Sequence, residues 1–156
     1  MITIYTDGSA HPNPGPGGYG VAVVNESNKL VYARSHQTLE NTTNNREELK
    51  AILWTMLTYG TLWGNAPIVY SDSAYCVNAF NDWMFGWANR GWVKSNNQVP
   101  ENLDLIQAYY EWYNKGYRID LRKIKGHAGH EWNELADKLA TGAITAEEAM
   151  KKYNGK

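Results

Sequence analysis

The chain has 156 residues, 43% of them hydrophobic, and a formal net charge of -1, which suits one domain with its own core and argues against a strongly basic nucleic-acid binder. A single cysteine, Cys76, excludes an intrachain disulfide, and nothing in the sequence resembles a zinc ligand set. No apolar run approaches the ~20 residues of a membrane span and no basic-then-apolar leader opens the chain, so the expectation is a soluble, cytoplasmic protein of one domain, 1–156.

Residues 2–7 read as a buried strand, with Ile2 and Ile4 on one face, that ends in Asp7. Strands avoid aspartate, and burial penalises it unless something such as a cation compensates. An isolated Asp-Gly at a strand end more often opens an Asx-turn. Residues 8–18 carry four glycines and three prolines and read as a loop. Residues 19–24 and 30–37 form two further strands, and the short polar turn between them predicts an antiparallel hairpin. Leu49, Ile52, Leu53, Met56 and Leu57 recur at helical spacing. Asn44 with Glu47 three residues later is a capping box, which gives Glu47 a structural task and leaves Glu48 spare in the first turn.

A fourth strand, 66–71, runs directly into Asp72, and residues 73–80 read as a helix. Alternation of strand and helix predicts parallel pairing through right-handed crossovers, and ligand crevices lie at the carboxyl ends of such strands. Two aspartates at such ends, Asp7 and Asp72, are therefore read together. Between 83 and 94 the chain places Trp83, Trp87 and Trp92 among glycines, Arg90 and Lys94, without an acid. Irregular aromatic spacing with interleaved cations predicts a contact surface able to meet bases, sugars and phosphates, the alternative being a partly buried helical hairpin. A helix over 102–113 and a fifth strand over 117–124 follow. His127 lies in a glycine-flanked loop, and Asn133 and Asp137, four apart, share a helical face whose neighbours Leu135, Ala136 and Leu139 turn to the sheet. The tail, 142–156, is expected to be peripheral.

Five ordered motifs carry a resemblance: Tyr5-Thr6-Asp7-Gly8-Ser9; Asn13-Pro14-Gly15-Pro16-Gly17-Gly18; Thr43-Asn44-Asn45-Arg46 with Glu48; Tyr70-Ser71-Asp72-Ser73; and Lys125-Gly126-His127-Ala128-Gly129-His130 followed by Asn133 and Asp137. Together, from Ile2 to about Thr141, the chain resembles type 1 ribonuclease H in its bacterial form. The resemblance implies an α/β ribonuclease H-like fold, a five-stranded mixed sheet in the order 3-2-1-4-5 with helices on both faces. It implies an endoribonuclease that hydrolyses the RNA strand of RNA/DNA hybrids with two Mg²⁺ ions, Mn²⁺ substituting, held by Asp7, Glu48, Asp72 and Asp137. Hard oxygen ligands suit those ions. His127 then assists proton transfer or product release, Asn133 supports the site, and the products carry a 5′-phosphate and a 3′-hydroxyl.

For substrate, the resemblance assigns Asn13, Asn44 and Asn45 to the hybrid minor groove, and Thr43 and Asn102 to a pocket for a DNA-strand phosphate. Trp83, Trp87, Arg90 and Trp92 fall in the protruding handle that grips the DNA strand. The partner is the hybrid duplex, bound by a monomer without a membrane. The chain departs from its relatives at Ala88 and Asn89, where a lysine-rich handle carries cations, at Asn41, often arginine, and at Ala74, often polar. Fewer phosphate contacts predict weaker hybrid binding and a shallower salt dependence. Three other readings stay open: a hybrid-binding module without catalysis; another nuclease of the superfamily fold, such as a transposase core or a junction resolvase; and, nearer, a ribonuclease H domain cut from a reverse transcriptase.

Overall fold

A computed structural model describes residues 1–62, 64–126 and 129–154. The chain opens with three antiparallel strands, β1 (Ile2–Ala10), β2 (Gly15–Asn25) and β3 (Leu30–Thr42). The stretch expected as a glycine-rich loop is mostly ladder. Ser9 pairs with Gly18 and Ala10 with Gly17, so that only residues 11–14 turn. Glycine is needed on β2 because a helix lies against it: a Cβ at Gly20 would come within 2.3 Å of the Ala136 carbonyl oxygen.

Helix α1 (Asn44–Tyr59) follows β3 directly. Its cap corrects the expected box. Thr43 is the N-cap, its hydroxyl accepting from Arg46 N at 3.0 Å, while the Asn44 side chain accepts from Ala10 N at 2.6 Å instead. Glu47 is fully buried and turned toward β3, where the hydroxyls of Thr38 and Thr42 each donate to it at 2.8 Å and Lys50 Nζ lies 2.8 Å away. Three donors compensate a buried carboxylate that an N-terminal backbone amide alone would not.

Next come β4 (Thr61–Leu62) and β5 (Ile68–Ser71), then one helical rod made of α2 (Ala74–Asn78), a π-helical turn (Ala79–Trp83) and α3 (Met84–Asn89). The helix expected to stop near Phe80 therefore continues to Asn89. After α4 (Leu103–Asn114), the expected fifth strand is two: β6 (Tyr117–Arg118) pairs with β4 as a separate ribbon, and β7 (Asp120–Lys123) joins the sheet. α5 (Glu131–Thr141) and α6 (Ala146–Asn154) close the chain. The main sheet runs β3-β2-β1-β5-β7, with β5 parallel to β1 and to β7. The expected 3-2-1-4-5 differs in detail because the short β4 and β6 intervene.

Alternation along the strands sends residues to both faces. Ile4, Val21, Val23, Val69 and Leu121 join Leu49, Ile52, Phe80 and Ile106 in one cluster; Tyr5, Ala22 and Val24 join Trp132, Leu135 and Leu139 in the other. Both sheet faces are covered by helices, as expected. α6 is less peripheral than expected: Ala149 is fully buried in the second cluster, with Met150 and Tyr153 packed on it. No helix among the described residues is long and apolar enough to cross a membrane.

Candidate active site

Three of the expected carboxylates converge. Asp7 stands within β1, paired with Gly20 and three residues before the strand ends, Glu48 descends from the first turn of α1, and Asp72 follows β5. Ligand oxygens of the three lie within 4.8 Å of one another. The approach depends on Gly8, where a Cβ would stand 2.1 Å from Glu48 N. Asp137, on α5, lines the same cavity of about 280 Å³, with Gly8, Ser9, Asn44, Asn45 and Ser73, and its carboxyl is near enough to Asp7 to push that acid's pKa up.

Acids this close cannot all ionise without a counter-charge. Burial, then the charges of Glu48 and Asp72 and the nearby Asp137 carboxyl, raise the pKa of Asp7 far above the ordinary carboxylate value. Burial likewise raises Glu48, opposed by a hydrogen bond from Thr6 and reinforced by Asp72. Glu48 accepts from Thr6 Oγ1 at 2.6 Å through Oε1; Oε2 is buried with no hydrogen-bond partner among the described residues. An all-oxygen set of carboxylates with such an orphan suits a hard divalent cation.

Beyond the acids, a cavity of about 550 Å³ is lined by Asn13, Pro14, Thr43, Asn44, Asn45, Glu101 and Asn102. Thr43 and Asn102 are the N-caps of α1 and α4, so two helix N-termini open on it. Asn13 Oδ1 accepts from Asn44 N at 3.1 Å, joining the turn after β1 to the start of α1. Five residues expected to meet substrate, Asn13, Thr43, Asn44, Asn45 and Asn102, are thus brought to one cavity.

The aromatic handle divides. Trp83, Trp87 and Arg90 line a second cavity, of about 510 Å³, with Tyr75, Lys94, Ser95, Pro100 and Glu101. Trp92, grouped with them from sequence, instead sets its ring edge-on to Tyr110, 5.1 Å between centroids, and packs against the core.

Asn133 is 3% exposed with Oδ1 unbonded among the described residues, on the same helix as Asp137. His127 lies outside the described residues. Sequence reasoning missed three participants. Thr6, immediately before Asp7, is a fully buried hydroxyl that orients Glu48; a polar residue beside the acid of a buried strand was the available signal. Arg46 and Asp104 form a bidentate pair, 3.0 and 2.6 Å, at the edge of the larger cavity. Each holds the other charged, through hydrogen bonding first: Asp104 is lowered and Arg46 raised.

The family model described as RNase H matches residues 1–145. The chain is 39% identical over 145 residues to the ribonuclease H of Syntrophomonas wolfei, covering 92% of this chain and 95% of that one. It is 37% identical over 155 residues to the ribonuclease H of Chromohalobacter salexigens, covering 97% and 88%. Among solved structures it resembles LC9-RNase H1, a type 1 RNase H with the type 2 active-site motif, at a TM-score of 0.71 and 30% identity, over 91% of this chain and 71% of that one. LC11-RNase H1, solved in complex with RNA/DNA hybrid, shares the fold at a TM-score of 0.64 and 24% identity, over 96% and 99%.

Proposed function

Because this chain belongs to the ribonuclease H family, we propose that it hydrolyses the RNA strand of RNA/DNA hybrids, with Asp7, Glu48, Asp72 and Asp137 holding two divalent metal ions. The observation that carries this reading is the crowding of Asp7, Glu48 and Asp72 within 4.8 Å, a charge density that a cation stabilises and that folding alone penalises. The buried, unbonded Glu48 Oε2 supports it further.

Mg²⁺ or Mn²⁺, when bound, supplies Lewis-acid stabilisation of the scissile phosphate and a water of lowered pKa. The chain does the rest. Thr6 fixes the rotamer of Glu48, and Gly8 N donates to Asp7 Oδ1 at 2.9 Å, which orients that carboxylate toward the cavity. Asn13, Asn44 and Asn45 address the minor groove, where 2′-hydroxyls separate RNA from DNA. Thr43 and Asn102 receive a phosphate of the DNA strand. Trp83 and Trp87 stack on the same strand while Arg90 meets its backbone. Trp92 holds the handle in place. His127 moves a proton or releases product, and Asn133, one turn before Asp137, keeps that carboxylate's surroundings polar. The products carry a 5′-phosphate and a 3′-hydroxyl.

The test is a cleavage assay on one labelled RNA strand, presented alone, paired with RNA and paired with DNA, in Mg²⁺ or in EDTA, for the natural chain and Asp7→Asn. Metal-dependent cutting confined to the hybrid and lost in Asp7→Asn is expected. Binding of the hybrid without cutting in Mg²⁺ would make the protein a binding module instead.

A further inference from the structure

The cavity lined by Asn13, Thr43 and Asn102 presents an electrostatic difficulty for an anion. Among its lining residues the one formal charge is negative, that of Glu101. The nearby cation, Arg46, is already committed: both its terminal nitrogens donate to Asp104, at 3.0 and 2.6 Å. Nη1 also donates to Asn102 Oδ1 at 3.4 Å. A guanidinium has donors and no acceptor, so the atom of Asn102 that faces Arg46 is its carbonyl oxygen and the amide nitrogen points elsewhere. The Tyr75 hydroxyl is occupied otherwise, donating to the Glu101 carbonyl oxygen at 3.4 Å. The amide hydrogens of Asn102 are left for the cavity that its side chain lines.

We propose that Asp104, Arg46 and Asn102 form an orienting relay that fixes the Asn102 amide with its N–H toward the cavity, so that Arg46 is a positioning residue and not a phosphate ligand. The inference rests on the proposed function and deepens it. A DNA-strand phosphate is then received by neutral donors, the Asn102 amide and the Thr43 hydroxyl. The latter accepts from Arg46 N and keeps its own proton to give. Such a pocket contributes hydrogen bonds without displacing counterions. It recognises a phosphate by direction more than by charge.

The difference is measurable because each ion pair formed with a phosphate adds about 0.9 to the slope of log affinity against log salt, and a neutral hydrogen bond adds nothing. Hybrid binding is measured in EDTA, between roughly 50 and 200 mM salt, for the natural chain, Arg46→Gln, Asp104→Asn and Asn102→Asp. Arg46→Gln is expected to weaken binding about fivefold with the slope unchanged, and to raise KM in Mg²⁺ while kcat holds. Asp104→Asn is expected to steepen the slope by about 0.9 as the guanidinium becomes available. Asn102→Asp, which puts a charge in place of the donor, is expected to weaken binding the most.

A slope that falls by about 0.9 in Arg46→Gln would make Arg46 itself a ligand and overturn the proposal. Unchanged affinity in both Arg46→Gln and Asn102→Asp would overturn it as well, by removing phosphate from the pocket. Absence of hybrid binding and cutting by the natural chain would be the separate failure of the ribonuclease reading.

Discussion

Thr6 Oγ1 on β1 donates to Glu48 Oε1 on α1 across 2.6 Å, joining two residues that stand 42 apart in the chain. The hydroxyl also lies 3.1 Å from the Tyr70 carbonyl oxygen, so it belongs to the sheet and holds the helix-borne acid against it. Groups that orient a metal ligand typically govern metal affinity by about 10–100-fold. Thr6→Val, nearly isosteric, removes the bond and leaves Glu48 with both oxygens unsatisfied. A rise of at least tenfold in the Mg²⁺ concentration for half-maximal cleavage, with near-normal thermal stability in saturating Mg²⁺, is expected.

Asp7 governs how the metal-free protein responds to pH. Burial and then the neighbouring carboxylates hold its pKa well above the unfolded value. Below about pH 4 both states carry the proton and the stability is full. As pH rises the unfolded chain releases its proton first, so metal-free stability falls steadily through neutrality. Thermal unfolding in EDTA is therefore expected to occur at lower temperature at pH 8 than at pH 5.5, with Mg²⁺ reversing the loss. Asp7→Asn is expected to be more stable than the natural chain in EDTA at pH 8 by about 2 kcal/mol, or roughly 4–8 °C. A natural chain as stable at pH 8 as at pH 5.5 would contradict this account.

Glu47 ties the end of β3 to α1 through Thr38, Thr42 and Lys50. Removing one partner of a buried pair costs about 3–5 kcal/mol. Here Lys50 keeps some access to water, with its side chain 25% exposed, so the lower end applies. Glu47→Ala is expected to lose about 3 kcal/mol in urea unfolding, while kcat of the folded fraction stays within twofold because Glu48 is held separately by Thr6. A catalytic loss without a stability loss would reverse the assignment of the two neighbours.

The closing helix begins where the family match ends, at residue 145. Thr145 and Glu148 cap it reciprocally, Thr145 N donating to Glu148 Oε1 at 2.9 Å and Glu148 N to Thr145 Oγ1 at 3.0 Å. Tyr153 lies 5.2 Å from Trp132, in the first turn of α5. A chain ending at Thr145 is expected to fold and to cut hybrid, but to unfold with about 2–3 kcal/mol less stability, the scale of one lost aromatic contact and its burial. Tyr153→Ala should reproduce most of that loss in the full-length chain. No change on truncation would show that α6 only rests on the sheet.

Much of this was legible in the sequence because it is local. Alternation sent Ile4 and Tyr5 to opposite faces, and an aspartate at each of two buried strands pointed to a cation site, although the first strand runs three residues past Asp7. Glu48 was singled out, though for a partly mistaken reason: its neighbour was given a capping task that Thr43 performs. Adjacent helical residues diverge by about 100°, so Glu47 and Glu48 were bound to face different elements, and which faced the site depended on where β3 and β1 lay. What stayed hidden was long-range. The pairing of Thr61–Leu62 with Tyr117–Arg118 splits a stretch that alternates like one strand. Arg46 and Asp104 are 58 residues apart, and Trp92 reads like Trp87 until its ring is found against Tyr110.

The π-helical turn at Ala79–Trp83 makes chain length here part of the substrate surface. A π turn absorbs one residue more than the α-helix would need. Ahead of it Cys76 is fully buried, and beyond it Met84 keeps to the core while Trp87 turns to the cavity. Deleting a single residue within the turn would restore a regular helix and swing everything after it by about 100°, carrying Trp87 and Arg90 off the cavity wall with no side chain altered. Across relatives, a one-residue gap at this place would count for more than several substitutions: the chemistry of each residue would survive and its address would be lost.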